Sequence, residues 1–148
     1  MRILLIKANA TRFDEGRPWR EARAQGGYAP TTLTTLAALI PPELDAEVML
    51  IDETVDQLPA DFGAADLVGI SAMTSDARRA YQLCGRARAM EIPVVLGGYH
   101  ATFMPQEAGE HADAVVKGFA EVAWPQLLRD FVRRSMRPCY EADWQDAF

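Results

Sequence analysis

Three short stretches gather the residue types that hold a ligand. Residues 94–105 read Val-Val-Leu-Gly-Gly-Tyr-His-Ala-Thr-Phe-Met-Pro, a β-branched run that breaks at paired glycines and turns polar at once. Lacking Cβ atoms, Gly97 and Gly98 permit positive φ and leave bare backbone against which a planar or phosphate-bearing group can lie. Gly69-Ile70-Ser71-Ala72-Met73-Thr74-Ser75 ends a second apolar run in hydroxyls, and Gly118-Phe119-Ala120-Glu121 ends a third in a glycine and a carboxylate. Such groups bind rather than react, because no nucleophile stands beside a base. Ser71 and Thr74 are candidate ligand contacts, and Thr74 and Ser75 equally suit turning or capping the backbone.

Other chemistries find little support. No G-x-S-x-G, P-loop or G-x-G-x-x-G occurs, so the usual hydrolase and nucleotide signatures are missing. Neither histidine has a second ligand at helical spacing. His100 follows the glycine pair and is aimed into or beside the loop cluster, while His111, next to Glu110, reads as helix-end surface. Cys84 and Cys139 stand 55 residues apart with no C-x-x-C, which gives neither a metal site nor a disulfide framework. A net charge of −6, with 15 Lys and Arg interleaved with acids, disfavours nucleic acid as a partner, since phosphate contacts need a cationic face. The apolar run at residues 3–6, closed by Lys7, is too short for a leader or a membrane span, and a cytoplasmic location is expected.

The elements that must position these loops follow from the spacing of apolar residues. Runs at residues 3–6, 48–51, 67–71 and 93–96, with a weaker fifth at 114–116, lack alternation, as strands buried on both faces do. Leu33, Leu36, Ala37 and Ile40 form a helical stripe that Pro41-Pro42 terminates. Ser75 is a plausible N-cap for a helix burying Ala77, Ala80, Tyr81, Cys84 and Ala87. A last helix from Glu121 is expected to bury Val122, Leu127, Leu128, Phe131 and Val132, with Pro125 tolerated in its first turn. Residues 54–66 read as a short or irregular helix because Pro59 and Gly63 interrupt it. At 148 residues the chain suits one domain, and the alternation predicts a flavodoxin-like or Rossmann-like, doubly wound five-stranded parallel sheet of order 2-1-3-4-5. Its ligand crevice would lie beyond the carboxyl ends of the first and third strands, where all the glycine- and hydroxyl-bearing loops meet.

Taken in order, these residues resemble the cobalamin-binding N-terminal domain of cobalamin-dependent radical S-adenosylmethionine enzymes. The resemblance covers roughly residues 1–135, with residues 136–148 as linker or tail. It rests on Gly27-Tyr28-Ala29-Pro30 with Leu33 and Leu36, Asp52-Glu53, Gly69-Ile70-Ser71 with Thr74, Gly97-Gly98-Tyr99-His100-Ala101-Thr102 with Pro105 and Glu107, and Val115-Val116-Lys117-Gly118 with Glu121. It implies that Tyr28, Pro30 and Leu33 approach a corrin. Ser71, Met73 and Thr74 would hold its nucleotide tail from one side, Gly97, Gly98, Tyr99, His100, Ala101 and Thr102 from the other, and Gly118 with Glu121 would close the far end. The D-x-H-x-x-G motif of cobalamin mutases is absent, which implies a corrinoid whose lower face takes no histidine from that loop. The radical domain's C-x-x-x-C-x-x-C motif is also absent. A [4Fe–4S] cluster and S-adenosylmethionine would therefore belong to another domain or a partner chain.

Two other functions fit the residues alone. One is a flavodoxin-like nucleotide- or small-molecule-binding regulatory domain. The other is an interaction domain whose surface uses Trp19, Tyr28, Trp124 and Trp144. If the corrinoid reading holds, Gly98→Leu is expected to block the tail slot while leaving the fold nearly intact.

Overall fold

The computed structural model describes residues 1–10, 31–142 and Gln145. Tyr28 and Pro30, expected near the corrin, lie outside the described residues, as do Trp19 and Trp144. The chain runs β1 (Arg2–Lys7), α1 (Thr31–Ala38), β2 (Glu47–Asp52), β3 (Leu67–Ser71), α2 (Ala77–Ala89), β4 (Val94–Gly97), α3 (Tyr99–Phe103), α4 (Pro105–His111), β5 (Ala114–Gly118), α5 (Ala120–Val132) and β6 (Cys139–Ala142). All described strands pair in parallel, in the order β2-β1-β3-β4-β5-β6.

Two apolar layers sandwich the sheet. On one face Leu4, Ile6, Val68, Ile70, Val94 and Leu96 pack against Ala80, Leu83, Cys84 and Ala87 of α2 and Ala108 of α4. On the other, Ile3, Leu5, Leu67, Val95 and Val116 pack against Leu33 of α1 and Trp124, Leu127 and Leu128 of α5. The inner strands are thus covered by apolar layers on both faces, which is why the runs show no polar alternation.

Among the described residues the sheet has six strands, one more than the sequence predicts. The sixth, Cys-Tyr-Glu-Ala, is an edge strand in which exposed and buried residues alternate, and part of the segment expected as linker forms it. It is hard to foresee for a topological reason as well. The β5–α5–β6 connection moves along the sheet in the same direction as β3–α2–β4, yet α5 lies on the opposite face from α2. It therefore has the opposite hand, against the strong preference for one hand in such crossovers. Tyr140 anchors the strand: it is buried, and its hydroxyl accepts from the Arg137 amide at 2.9 Å and donates to Asp130 Oδ2 at 2.9 Å.

Smaller differences follow from helical phase. A 3-10 turn over Thr74–Asp76 precedes α2, so Asp76 rather than Ser75 is the residue before the helix. On α5 the buried face is Ala123, Trp124, Leu127 and Leu128, while Val122 and Val132 are exposed. Segment 54–66 contains one short 3-10 turn, Phe62–Ala64, whose Phe62 is fully buried. None of the described helices is long and apolar enough to cross a membrane.

Burial has a measurable consequence at the two thiols. Cys84 is enclosed beneath α2 and Cys139 is exposed; desolvation pushes the Cys84 thiol from its ordinary 9.0 up to about 12. Desolvation also raises the Tyr140 phenol above its usual value. In both cases the folded state holds the proton more tightly than the unfolded chain does. Their stabilising contribution is complete below the unfolded values and is lost as pH rises from there through the folded ones. At about pH 8 a thiol reagent is expected to label Cys139 rapidly and Cys84 only on unfolding. The urea midpoint is expected to fall between about pH 9 and pH 11.

Candidate ligand-binding site

The strands end together at one edge. Lys7 pairs with Ser71 and Ser71 with Gly97, so the last residues of β1, β3 and β4 lie side by side. Just inside that edge, on the face covered by α1 and α5, is an open cavity of about 500 Å³. Its position, outside the carboxyl ends of β1 and β3 where the chain direction along the sheet reverses, is where ligands enter open α/β sheets. Its volume falls within the roughly 300–1,000 Å³ of small-molecule clefts.

Glycines make the room. The floor is formed by Leu5, Gly69, Val95, Val116 and Trp124. A Cβ on Gly69 would sit 2.8 Å from Leu5 Cδ2 and 3.4 Å from the Trp124 ring, so glycine lets the leucine and the indole lie down against β3. Trp124 is held in place by its Nε1–H, which donates to the Leu36 carbonyl of α1 at 3.1 Å. That residue is buried, so it supplies no partner surface. Beside it, a Cβ on Gly97 would meet nothing nearer than Val116 Cβ at 3.6 Å, an ordinary contact.

Gly98 serves differently. It adopts φ 91°, ψ −172°, a region essentially reserved for glycine. A Cβ there would lie 2.8 Å from the Ala72 carbonyl oxygen, 2.9 Å from the Ala72 nitrogen and 2.9 Å from Ser71 Oγ. The expectation that Gly98→Leu leaves the fold nearly intact is therefore corrected: the β3 and β4 loops touch here, and the substitution strains the backbone before it meets any ligand. After this one turn α3 begins at once, at Tyr99.

Of the residues expected at the site, Ser71, Met73, Gly97, Gly98, Tyr99, Thr102, Gly118 and Glu121 line the cavity. Leu33 is instead buried in the core beneath α1. Thr74, His100 and Ala101 are not among the lining residues. The first turn of α3 carries His100 and Ala101 away from the cavity, and both side chains are buried, Ala101 in the layer on the α2 side. Tyr81 of α2 donates its hydroxyl proton to Glu107 Oε1 at 2.8 Å. The 2.6 Å contact between that hydroxyl and His100 Nε2 is then a bond donated by the imidazole N–H. His100 Nδ1 is left an acceptor, buried and without a partner among the described residues. Desolvation and the Glu107 carboxylate raise the Tyr81 phenol well above its ordinary range. His111 stacks on the same ring, centroids 3.8 Å apart.

Several further lining residues were not among the expected ligand contacts. Lys7, Thr32, Leu36, Asp76, Phe103, Phe119 and Trp124 all reach the cavity. Lys7 Nζ lies 3.7 Å from Asp52 Oδ1 and 3.4 Å from Thr54 Oγ1. Glu53, buried at the end of β2, is paired with Arg79 of α2 at 2.7 Å and accepts from the Asn9 amide at 3.2 Å. Asp76 accepts from the Ala10 amide at 3.0 Å. These two acids fix where the chain leaves β1, above the cavity. For Glu53 the available hint was its position, since it directly follows β2.

Fold and site together define an α/β ligand-binding domain with its pocket at the carboxyl edge of a parallel sheet. The sequence profile of the B12 binding domain matches residues 26–128. The chain belongs to that family, and cobalamin is its cofactor. It is similar to the bacteriochlorophyllide d C-8(2)-methyltransferase of Chlorobaculum tepidum, with 39% identity over 111 residues, 74% of this chain and 24% of that protein. It is also similar to the C-12(1)-methyltransferase of the same organism, with 36% identity over 114 residues, 76% of this chain and 25% of that protein. The chain spans about a quarter of the length of these curated relatives. No solved structure matches it significantly.

Proposed function

We propose that this chain holds cobalamin with the nucleotide arm in the cavity and the corrin ring outside it, over the strand ends. It would serve as the cofactor-carrying domain of a cobalamin-dependent radical S-adenosylmethionine methyltransferase. The observation that carries this reading is a glycine-floored cavity at the strand-reversal point of a chain matched by the B12 binding profile. A whole corrinoid is too large for about 500 Å³, whereas a nucleotide-sized arm is not. Cobalamin, when bound, supplies a carrier for a methyl group.

The chain's own residues have the remaining tasks. Ser71 and Met73 would border the arm on the β3 side, Gly97, Gly98, Tyr99 and Thr102 on the β4 side, and Gly118 with Glu121 at the end nearest α5. The [4Fe–4S] cluster and S-adenosylmethionine would be held outside these 148 residues, which contain two cysteines. Support for carrying the cofactor rather than selecting the substrate comes from the relatives. The segment resembling this chain is present in enzymes named for two different positions of the macrocycle, C-8(2) and C-12(1).

The lower face of cobalt would receive no histidine from this chain. Both of its histidines, His100 and His111, are engaged with Tyr81 away from the cavity. An arm held in the cavity would also keep its terminal base away from cobalt. Gel filtration of the purified chain with hydroxocobalamin tests the binding: co-elution is expected, and separate elution contradicts it. Electron paramagnetic resonance of the cob(II)alamin complex tests the axial state. Cobalt lines without nitrogen superhyperfine splitting are expected, unchanged in His100→Ala; nitrogen splitting contradicts a base-off cofactor.

A further inference from the structure

The four loops around the cavity are not joined in the same way. The β1 and β3 rims are tied by the Ala8 amide to the Ser71 carbonyl at 3.0 Å. The β3 and β4 rims are tied by the Ala72 amide to Gly97 O at 3.2 Å and the His100 amide to Ala72 O at 3.1 Å. Between β4 and β5, strand pairing is confined to Val95 with Ala114 and Leu96 with Val115. Beyond that the ladder stops, although Gly97 still lies against Val116, where a Cβ would be 3.6 Å from Val116 Cβ; Gly97, Val116 and Gly118 all line the cavity.

One hydroxyl joins the two rims past the end of the ladder. Thr102 Oγ1 donates to the Gly98 carbonyl at 2.9 Å and accepts from the Gly118 amide at 3.1 Å. Back-bonding to the carbonyl four residues earlier is commonplace for threonine in a helix and needs no special role. The Gly118 bond is different, because it reaches a second element 16 residues away. Among the described residues, no other side-chain bond links the β4 loop to the β5 loop. Each end of the bridge is a glycine at positive φ, 91° at Gly98 and 76° at Gly118. Gly118 is held from behind too, since a Cβ there would lie 3.0 Å from the Ala142 carbonyl of β6.

We infer that Thr102 is a positioning residue that sets the width of the arm slot by bridging the β4 and β5 rims. Its single proton and the lone pair facing Gly118 are spent on protein partners, so it acts on the ligand through the two glycines. This rests on the binding reading above and adds to it a way to separate slot from ring. A corrinoid lacking the nucleotide arm, cobinamide, uses the strand-end surface but not the slot.

Dissociation constants for hydroxocobalamin and cobinamide test this in wild type, Thr102→Val and Thr102→Ser. Valine keeps the shape and removes both bonds; serine keeps both bonds. Thr102→Val is expected to weaken cobalamin about tenfold and cobinamide by less than about twofold, with serine restoring wild-type affinity for both. Equal weakening of both ligands, or none of cobalamin, overturns the inference. If wild type binds neither ligand, the underlying reading falls instead. Amide exchange in the wild-type protein checks the bridge without any substitution. Slow exchange at Gly118 supports it, and exchange as fast as at an exposed loop amide overturns it.

Discussion

Gly97→Leu is expected to abolish cobalamin binding, weakening it at least about 100-fold, while shifting stability by less than about 1 kcal/mol. Gly97 ends β4 with φ outside the positive range, and a Cβ there meets Val116 at an ordinary 3.6 Å. The backbone therefore accepts a side chain, and residues with side chains suit a strand better than glycine does. What the leucine removes is space, because Gly97 lines the cavity beside Gly69 and Val116. A graded series makes the cause visible: Gly97→Ala is expected to weaken binding modestly and Gly97→Leu to eliminate it, with both melting near wild type. Absorbance titration with hydroxocobalamin and thermal denaturation supply the two readouts.

The neighbouring substitution is expected to do the reverse. Gly98→Ala should cost about 3 kcal/mol or more of stability, lowering Tm on the order of 10 °C, because alanine must enter a glycine-only region while its Cβ meets backbone. The clash is with Ala72 N and O at 2.9 and 2.8 Å, atoms already committed to the bonds that join the β3 and β4 rims. Backbone cannot swing aside as a side-chain tip can. Two adjacent glycines that look alike in the sequence thus separate into one kept for space and one kept for conformation. Calorimetry of the two alanine variants distinguishes them, and equal melting temperatures would contradict the assignment.

The difference between these glycines marks where sequence reasoning stops. Five strands were legible because uninterrupted apolar runs occur where both faces of a sheet are covered, as at Leu67–Ser71. That property conceals which residues face which layer. Nothing in Leu-Val-Gly-Ile-Ser shows that the Ile70 side chain joins the α2-side layer while Gly69 opens beneath Trp124 on the other face, so the floor of Leu5, Gly69, Val95 and Val116 was not foreseen. The rims were legible because glycine and hydroxyl residues follow the strands directly. His100 was not, since its direction depends on α3 beginning one residue earlier, at Tyr99, and turning the imidazole toward Tyr81. The role of Trp124 was not legible either, because one aromatic in a helix gives no phase; its indole closes the floor against α1.

The central claim, that the nucleotide arm occupies the cavity over Gly69 and Gly97 on the α1 and α5 side of the sheet, is tested most directly by a crystal structure of the chain grown with hydroxocobalamin. The account predicts continuous density for the arm along Gly69 and Gly97, ending near Gly118, with the corrin beyond the strand ends and no imidazole on cobalt. Density showing the vitamin bound elsewhere, or at the sheet edge with its base still on cobalt and the cavity unchanged, would contradict it.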